Sequence, residues 1–214
     1  MLFRSGATAA AKLRRLSEQD DIIVFEKDEY ISFANCGLPY YIGEVITDRN
    51  KLLVQTVEGM NKRFNLDIRN LTEVIKIDRE KKAVLVKKST GVEYTESYDV
   101  LILSPGASPI VPPIPGLKET NNVFILRNIP HTDAIYNFIK QKQPKKATVI
   151  GGGFIGVEMA ENLRERGLAV TLIDMADQVL APIDYEMAQI VHEELTRHGV
   201  RLILKDGVKS FLDN

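Results

Sequence analysis

One cysteine, three histidines and no tryptophan occur in this sequence of 214 residues. The single cysteine, Cys36, excludes an intrachain disulfide and an all-cysteine metal site, and it suits a reducing cytoplasm. His131, His192 and His198 lack the spacing of metal ligands, so we expect no metal site. An excess of one charge is also absent, because 28 Lys and Arg residues are balanced by 29 Asp and Glu residues. Without a basic surface, nucleic acid is not an expected partner.

Long hydrophobic runs are missing as well. The longest uncharged stretch, Val100 to Leu117, contains five prolines and two glycines, so it is not a membrane helix and no membrane partner is expected. No apolar leader follows the N-terminus, and we therefore expect a cytoplasmic protein. Hydrophobic residues at 44% and charged residues at 27% are ordinary for a folded domain, which excludes disorder as the dominant state.

The clearest positive signal is a glycine turn between a β-branched run and a helical pattern. The turn, Gly151 to Gly156, follows residues 147–150, and apolar residues then recur at helical spacing. A second strand pattern over residues 169–173 ends at Asp174. Strand, glycine turn, helix, strand and acid together predict a dinucleotide-binding unit with the diphosphate at the helix N-terminus. The alternative is a glycine-rich turn inside an ordinary βαβ unit.

A second copy of this pattern lies near the start of the chain, but it is incomplete. Gly6 opens a helical stretch, Ala7 to Leu16, and the strand pattern Asp21 to Phe25 ends at Glu26. The first strand and the first two glycines are missing, since residues 1–5 are neither a β run nor a glycine loop. We therefore expect the chain to begin inside a nucleotide-binding unit.

The region between the two copies has a different pattern. Three alternating segments, residues 73–78, 83–87 and 92–97, predict an antiparallel meander, and Tyr98 to Leu103 predicts a buried strand that returns to the first sheet. Further elements are expected at residues 128–142, 184–198 and 201–204. The predicted fold is α/β, with two Rossmann-like, doubly wound, three-layer units, FAD-type and NAD(P)-type, and the meander in the first. Predicted domains are residues 1–107 (FAD-binding), 108–144 (linker and connecting helix) and 145–214 (NAD(P)-binding).

Cys36 follows the first acid-terminated strand within ten residues of Glu26. A doubly wound sheet binds ligands beyond the carboxyl ends of its strands, and Gly37 and Pro39 suit the first turn of a helix. A sulfur at a helix N-terminus is favoured as the reactive thiolate. The alternative is a packing role, because cysteine is among the residues most often buried.

Four segments carry a family resemblance: Glu26-Lys27, Ser32 to Tyr40, Leu103 to Ala107, and Gly151 to Gly156. Together they resemble the FAD-dependent pyridine nucleotide-disulfide oxidoreductases. Among these, the sequence is most similar to the coenzyme A-disulfide reductases and related persulfide reductases, which carry a single cysteine in this context. The chain would cover roughly half of a family member, which makes it a fragment lacking the dimerisation domain.

The resemblance implies roles for individual residues. Cys36 would be the redox-active nucleophile that forms a mixed disulfide with coenzyme A. Thr8, Arg15, Ser32 and Asn35 would contact that substrate. The residues implied to hold FAD are Gly6, Glu26, Lys27, Val74, Ser104, Pro105, Gly106 and Ala107. Those implied to hold NAD(P)H are Gly151, Gly152, Gly153, Phe154, Ile155, Gly156, Glu158 and Asp174.

The resemblance also implies partners and leaves rivals open. Expected partners are coenzyme A disulfide or a persulfide, and a second subunit in an intact homodimeric parent. NADH is favoured over NADPH, because a carboxylate at Asp174 repels a 2′-phosphate and no arginine follows it. The rival functions are an NADH oxidase or peroxidase that cycles through a sulfenic acid at Cys36, and a nucleotide-binding fragment without catalysis. As a fragment, the chain is expected to bind no stoichiometric FAD.

Overall fold

The structure is a computed structural model, and it describes residues 5–212. Its α-helices are α1 Ser5–Leu16, α2 Leu38–Ile42, α3 Val57–Phe64, α4 Ile129–Lys142, α5 Phe154–Glu165 and α6 Tyr185–Arg197. Its strands are β1 Ile23–Phe25, β2 Ser32–Phe33, β3 Leu53–Gln55, β4 Asp67–Arg69, β5 Thr72–Asp78, β6 Ala83–Lys88, β7 Glu93–Ser97, β8 Lys146–Ile150, β9 Ala169–Ile173 and β10 Arg201–Ile203. Among the described residues, no helix combines the length and apolar character that crossing a membrane requires.

Contacts divide the chain into two compact units. The first comprises the residues up to Ala34 together with Leu53–Ser108, and the second comprises Asn35–Leu52 together with the residues from Pro109 onward. The segment that contains Cys36 therefore belongs to the same unit as the glycine turn. The predicted domain boundaries after residues 107 and 144 stay predictions.

The second unit is built on a parallel sheet of order β10-β9-β8. β8 and β9 pair in register from Lys146 opposite Ala169, and α5 is the connection between them. Ala160 of α5 and Leu172 of β9 are fully buried in its core, as is Ile42 of α2. The strand, turn, helix and strand predicted here are confirmed, and the first strand and the helix differ from the prediction only at their ends.

The first unit contains two small sheets that hold the predicted elements. β1 pairs with β4 in parallel, and β5, β6 and β7 form the predicted antiparallel meander. Residues of α1, α3 and β4 form its core, among them Ala10, Met60 and Ile68. A third sheet pairs β2 with β3. The α/β class with Rossmann-like units is confirmed.

The predicted buried strand over Tyr98 to Leu103 is wrong. This run is not a strand, and Val100 and Leu103 are 81% and 66% exposed. A strand needs a hydrogen-bonded neighbour, and no strand among residues 5–212 pairs with this run, so its apolar composition alone does not form a ladder. The expectation that residues 1–5 form neither a strand nor a glycine turn lies outside the described residues except at Ser5, which is the first residue of α1.

Candidate functional site

The glycine turn after β8 has the backbone that its sequence predicts. Gly151 has φ of +101°, in the region that favours glycine. Its N–H donates to the carbonyl of Ile173 at the end of β9, 2.8 Å away, which fixes the turn to the sheet. A Cβ on Gly156 would lie 1.8 Å from the carbonyl oxygen of Gly151, so only glycine lets the helix approach the turn this closely.

The N-terminus of α5 is open to a ligand. Gly153 is its N-cap, so the capping residue offers no side-chain acceptor to the first N–H groups of the helix. Apart from the residues flanking each glycine, no atom of residues 5–212 lies within 4 Å of a Cβ built on Gly151 or on Gly153. Unpaired N–H groups beside open space at a helix N-terminus suit the diphosphate of a dinucleotide. Phe154 and Ile155, the first residues of α5, are more than half exposed.

Asp174 joins the turn to the segment that follows β9. Its Oδ2 accepts a short hydrogen bond from the N–H of Gly152, and its Oδ1 accepts from the N–H of Ala176 at 2.7 Å. Two backbone donors therefore hold the carboxylate at the carboxyl end of the sheet. Each oxygen keeps a further lone pair, so the carboxylate is still able to accept a hydrogen bond from a ribose hydroxyl.

Two contacts behind the turn have no local sequence signal. The N–H of Leu180 donates to the carbonyl of Gly152 at 2.7 Å, and the N–H of Val179 donates to Nε2 of His192 at 3.0 Å. Burial lowers the pKa of His192, which fits a neutral acceptor. Sequence reasoning treated His192 only as a scattered histidine, because its partner lies on a different element.

Cys36 lies in a single 3₁₀ turn, Asn35–Gly37, that leads into α2. Gly37 is the N-cap of α2 and Pro39 lies in its first turn, so the local prediction of a helix start is confirmed. Cys36 is exposed, whereas Leu38 is buried. Oδ1 of Asn35 is buried and has no hydrogen-bond partner among the described residues. The turn therefore presents a thiol beside an amide oxygen without a partner.

Arg166, at the end of α5, binds the C-terminal end of α2. Its Nη1 donates to the carbonyl of Ile42 at 2.9 Å, and its Nη2 pairs with Glu44 at 3.0 Å. Its guanidinium also lies over the ring of Tyr136 on α4, 5.4 Å from the centroid. Tyr41 of α2 stacks on that same ring at 4.8 Å. The cysteine segment is thus fixed to the helix that begins at the glycine turn.

Other contacts bring the same segment close to α4 and α5. Arg49 makes a two-pronged ion pair with Asp133 of α4, at 2.8 and 2.7 Å. A Cβ on Gly43 would lie 2.2 Å from Oδ1 of Asn162, a buried residue of α5. The close approach at Gly43 requires glycine, and it explains why a small residue ends α2.

Acidic side chains of α5 lie near the cysteine turn. Glu161 is the main cause of the raised pKa of Tyr40, followed by burial, Glu158 and Cys36. Burial raises the pKa of Glu158, and the charge of Glu161 raises it further. Glu158, Tyr40 and Cys36 are thus within electrostatic reach of one another. Sequence reasoning placed Glu158 at the cofactor but missed Tyr40 and Glu161.

In the first unit, the start of α1 meets the segment after the meander. A Cβ on Gly6 would lie 3.5 Å from Cβ of Ser104, so these two predicted FAD residues are brought together. Residues 104–107 are exposed, and Gly106 has φ of +71°. Oε1 of Glu26 accepts from the N–H of Asp28 at 2.9 Å, and burial raises the pKa of Glu26.

The remaining predicted residues of the first unit lie on three elements. Thr8 and Arg15 are exposed and lie two turns apart, on one face of α1. Ser32 is buried on β2, at 6% exposure. Lys27 is exposed after β1, and Val74 lies on β5 next to a register shift. In the part of the chain that is described, no group of three His, Cys, Asp or Glu side chains is arranged to hold a metal ion.

Comparison with protein families matches residues 5–214 to the family described as pyridine nucleotide-disulphide oxidoreductase. Among curated proteins, coenzyme A disulfide reductase of Staphylococcus aureus strain JH9 is 43% identical over 210 residues. That alignment covers 98% of this chain and 47% of the relative. The chain therefore spans about half the length of the curated relatives it matches.

Solved structures with the same fold come from several enzymes. Reduced CoADR-RHD of Bacillus anthracis is 64% identical with a TM-score of 0.94, over 95% of this chain and 37% of that one. The NAD-dependent persulfide reductase of A. fulgidus is 33% identical with a TM-score of 0.91, and the match covers 96% of this chain and 39% of that one. The water-forming NADH oxidase of Lactobacillus brevis, bound to NADH, is 32% identical with a TM-score of 0.91, and the match covers 98% of this chain and 46% of that one. An engineered form of that oxidase, bound to NADPH, carries Gly-to-Ala and Asp-to-Ala changes 18 residues apart.

Proposed function

This chain belongs to the pyridine nucleotide-disulphide oxidoreductase family, and from that membership we propose that it is part of an FAD-dependent enzyme that reduces coenzyme A disulfide, or a related disulfide or persulfide, with NAD(P)H. The observation that carries the proposal is the exposed Cys36, fixed through α2 to the helix that begins at the dinucleotide turn. Relatives named for this activity at 43% identity support the choice of substrate. We place the enzyme in the cytoplasm, where a lone thiol stays reduced, and propose that the intact parent is a homodimer.

The glycine turn is the proposed NAD(P)H site. The open N-terminus of α5 would hold the diphosphate, Asp174 would accept from the ribose hydroxyl, and Glu158 would lie near the nicotinamide. We propose NADH as the preferred nucleotide. Gly156 and Asp174 are 18 residues apart, the same separation as two of the residues changed in the engineered NADPH oxidase. The carboxylate is thus the feature expected to exclude a 2′-phosphate.

FAD is the proposed second cofactor, and the first unit carries residues that fit it. Gly6 and Ser104 lie together at the start of α1, where a diphosphate would be bound, and Glu26 directly follows β1, where a ribose would be bound. Lys27 and Val74 would line the adenine side. When bound, the flavin supplies the electron pair that the cysteine sulfur needs.

The proposed chemistry of this chain is thiol–disulfide exchange at Cys36. Its thiolate attacks one sulfur of the substrate disulfide, the substrate S–S bond breaks, and one thiolate leaves as a mixed disulfide forms. Two electrons then cleave the mixed disulfide, which releases the second thiolate and returns Cys36 to the thiolate. The buried Oδ1 of Asn35, Ser32 and the exposed Thr8 and Arg15 are the proposed substrate contacts.

The test is a Cys36→Ser substitution in the full-length protein that contains this chain. We expect FAD to be retained and NADH-dependent reduction of coenzyme A disulfide to be lost, because a hydroxyl does not form the mixed disulfide. The matched control is Ser97→Cys in the Cys36→Ser background, which returns a thiol at an exposed position of β7. Disulfide turnover at the unsubstituted rate in Cys36→Ser would contradict the assignment.

A second candidate function is favoured by one finding, the similarity to the water-forming NADH oxidase. In that case Cys36 would cycle through sulfenic acid, reduced by the same electron pair. Intact mass of the protein as purified separates the two. A coenzyme A adduct on Cys36 supports the reductase, whereas a single added oxygen on that residue supports the oxidase or peroxidase.

A further inference from the structure

His192 lies on α6 and acts on the segment after β9 through one hydrogen bond. Its Nε2 accepts from the N–H of Val179 at 3.0 Å, so the ring proton is on Nδ1 when the ring is neutral. Val179 is fully buried, so its N–H has no solvent alternative to this acceptor. The bond therefore fixes where residue 179 lies relative to α6.

Val179 in turn contacts the glycine turn. A Cβ on Gly152 would lie 2.9 Å from Cγ1 of Val179, so the two residues are packed against each other. The next residue, Leu180, donates to the carbonyl of Gly152 at 2.7 Å. The N–H of Gly152 is bound by Asp174, so both polar groups of this glycine are held by the same segment. A continuous set of contacts thus runs from His192 to the dinucleotide turn.

We propose that His192 is a positioning residue for the nucleotide site, which holds the Val179–Leu180 segment against Gly152 and so sets the geometry of the turn and of Asp174. The inference rests on the proposed function, because it assigns a role at the proposed NADH site. His192 acts through Val179, and it has no part in the chemistry at Cys36.

Charged groups near His192 are not the cause of its lowered pKa. Burial alone lowers the pKa of His192. The segment after β9 carries Asp174, which is held by two backbone donors, and Asp177, which is exposed. On α6 itself Glu193 is exposed, and Arg201 on the adjacent β10 is exposed as well. The neutral acceptor is therefore the form expected at pH 7.

The experiment compares three variants of the 214-residue chain. His192→Leu removes the acceptor, and His192→Gln keeps an acceptor oxygen. The matched control is His198→Gln, which changes an exposed histidine at the end of the same helix. NADH affinity is measured by fluorescence titration, and the amide resonances of Gly152 and Val179 are followed by NMR without nucleotide.

We expect His192→Leu to weaken NADH binding about tenfold, because the Val179–Leu180 segment would no longer hold Gly152 in the geometry that binds the nucleotide. His192→Gln should restore most of the affinity, and His198→Gln should leave it unchanged. The Gly152 amide should shift in His192→Leu but not in His198→Gln. Unchanged affinity and an unshifted Gly152 amide in His192→Leu would overturn the inference. Absence of NADH binding in the unsubstituted chain would contradict the proposed function instead, while the Gly152 shift would still report on His192.

Discussion

Asp174 is the residue on which we propose that nucleotide preference depends. Its carboxylate lies at the carboxyl end of β9, where it would repel a 2′-phosphate, while Met175 beside it is 82% exposed and carries no charge. We expect Asp174→Ala combined with Met175→Arg to reverse the preference, because the change replaces a negative charge with a positive one. Dissociation constants of the chain for NADH and NADPH measure this. Asp177→Ala, an exposed carboxylate three residues further on, is the control and should leave the ratio unchanged.

Gly153 is a position where a substitution is expected to change nucleotide binding without changing the stability of the fold. Its φ is −72°, and apart from its two neighbours in the chain no described residue has an atom within 4 Å of an added Cβ, so the fold accepts a methyl group there. That space is where we place the diphosphate. Gly153→Ala is therefore expected to weaken NADH binding at least tenfold, about 1.4 kcal/mol, while the melting temperature stays within a degree or two of the original. A stable variant that binds NADH normally would show that the phosphates lie elsewhere.

Among elements, α2 is largely buried, and Arg166 makes several of its polar contacts. Its side chain is only 12% exposed. It donates a hydrogen bond to the carbonyl of Ile42, forms an ion pair with Glu44, and lies over the ring of Tyr136. Arg166→Met keeps much of the apolar stem but removes the bonds, so we expect about 1–3 kcal/mol of local destabilisation. Hydrogen–deuterium exchange of residues 35–52 should become faster.

The control for that prediction is Arg197→Met on α6. Arg197 is 64% exposed and pairs only with Glu194 among the recorded ion pairs of the described residues, and such surface pairs contribute little. Exchange over residues 35–52 should not change in this variant. Equal protection of that segment in Arg166→Met would mean that the stacking of Tyr41 on Tyr136 and the ion pair of Arg49 are sufficient.

Sequence patterns predicted the elements that are marked by local residue types. They failed where the structure of a segment depends on a partner that is distant in the sequence. β9 was predicted to the residue, since β-branched residues bounded by Gly167 and Asp174 are a local signal. Residues 98–103 have the same apolar character but no paired strand among the described residues, and a single sequence does not show that. The roles of the glycines and Asp174 were predicted from their spacing, and the role of Cys36 from its position after β1 and from the family resemblance; these roles stay predictions. Tyr40 and His192 were missed, because each meets its partner only after the chain folds.

At the scale of the whole molecule, three groups with shifted pKa values make the folding stability depend on pH. One of them lowers the stability as the pH falls, and two raise it. Burial lowers the pKa of His192 below its ordinary 6.5, so below that pH the unfolded chain binds a proton that the folded chain does not. Stability from this group is complete above pH 6.5 and is lost as the pH falls through the folded value. Burial raises the pKa of Glu26 and Glu158 above 4.5, which has the opposite sign, since stability rises as the pH falls toward 4.5.

His192→Gln isolates the first of these contributions. We expect the melting temperature of the unsubstituted chain to fall more between pH 7.5 and pH 5.5 than that of His192→Gln, because the variant has no imidazole to protonate. The carboxylates are common to both proteins and cancel in the comparison. Thermal unfolding at several pH values between these limits measures it, and parallel curves for the two proteins would contradict the assignment of a low pKa to His192.

The grouping of Asn35–Leu52 with the residues from Pro109 onward also has a consequence for synthesis on the ribosome. The carbonyl of Ile42 is made 124 residues before Arg166, which binds it. At roughly 5–20 residues per second, that separation corresponds to a delay on the order of ten seconds. During this time Ile42 lacks the buried core partners that come from Ile135 onward, and the thiol of Cys36 is free to react. The nascent chain therefore passes through a period in which its reactive sulfur is present before the helices that hold it, and early oxidants or chaperones would meet this segment first.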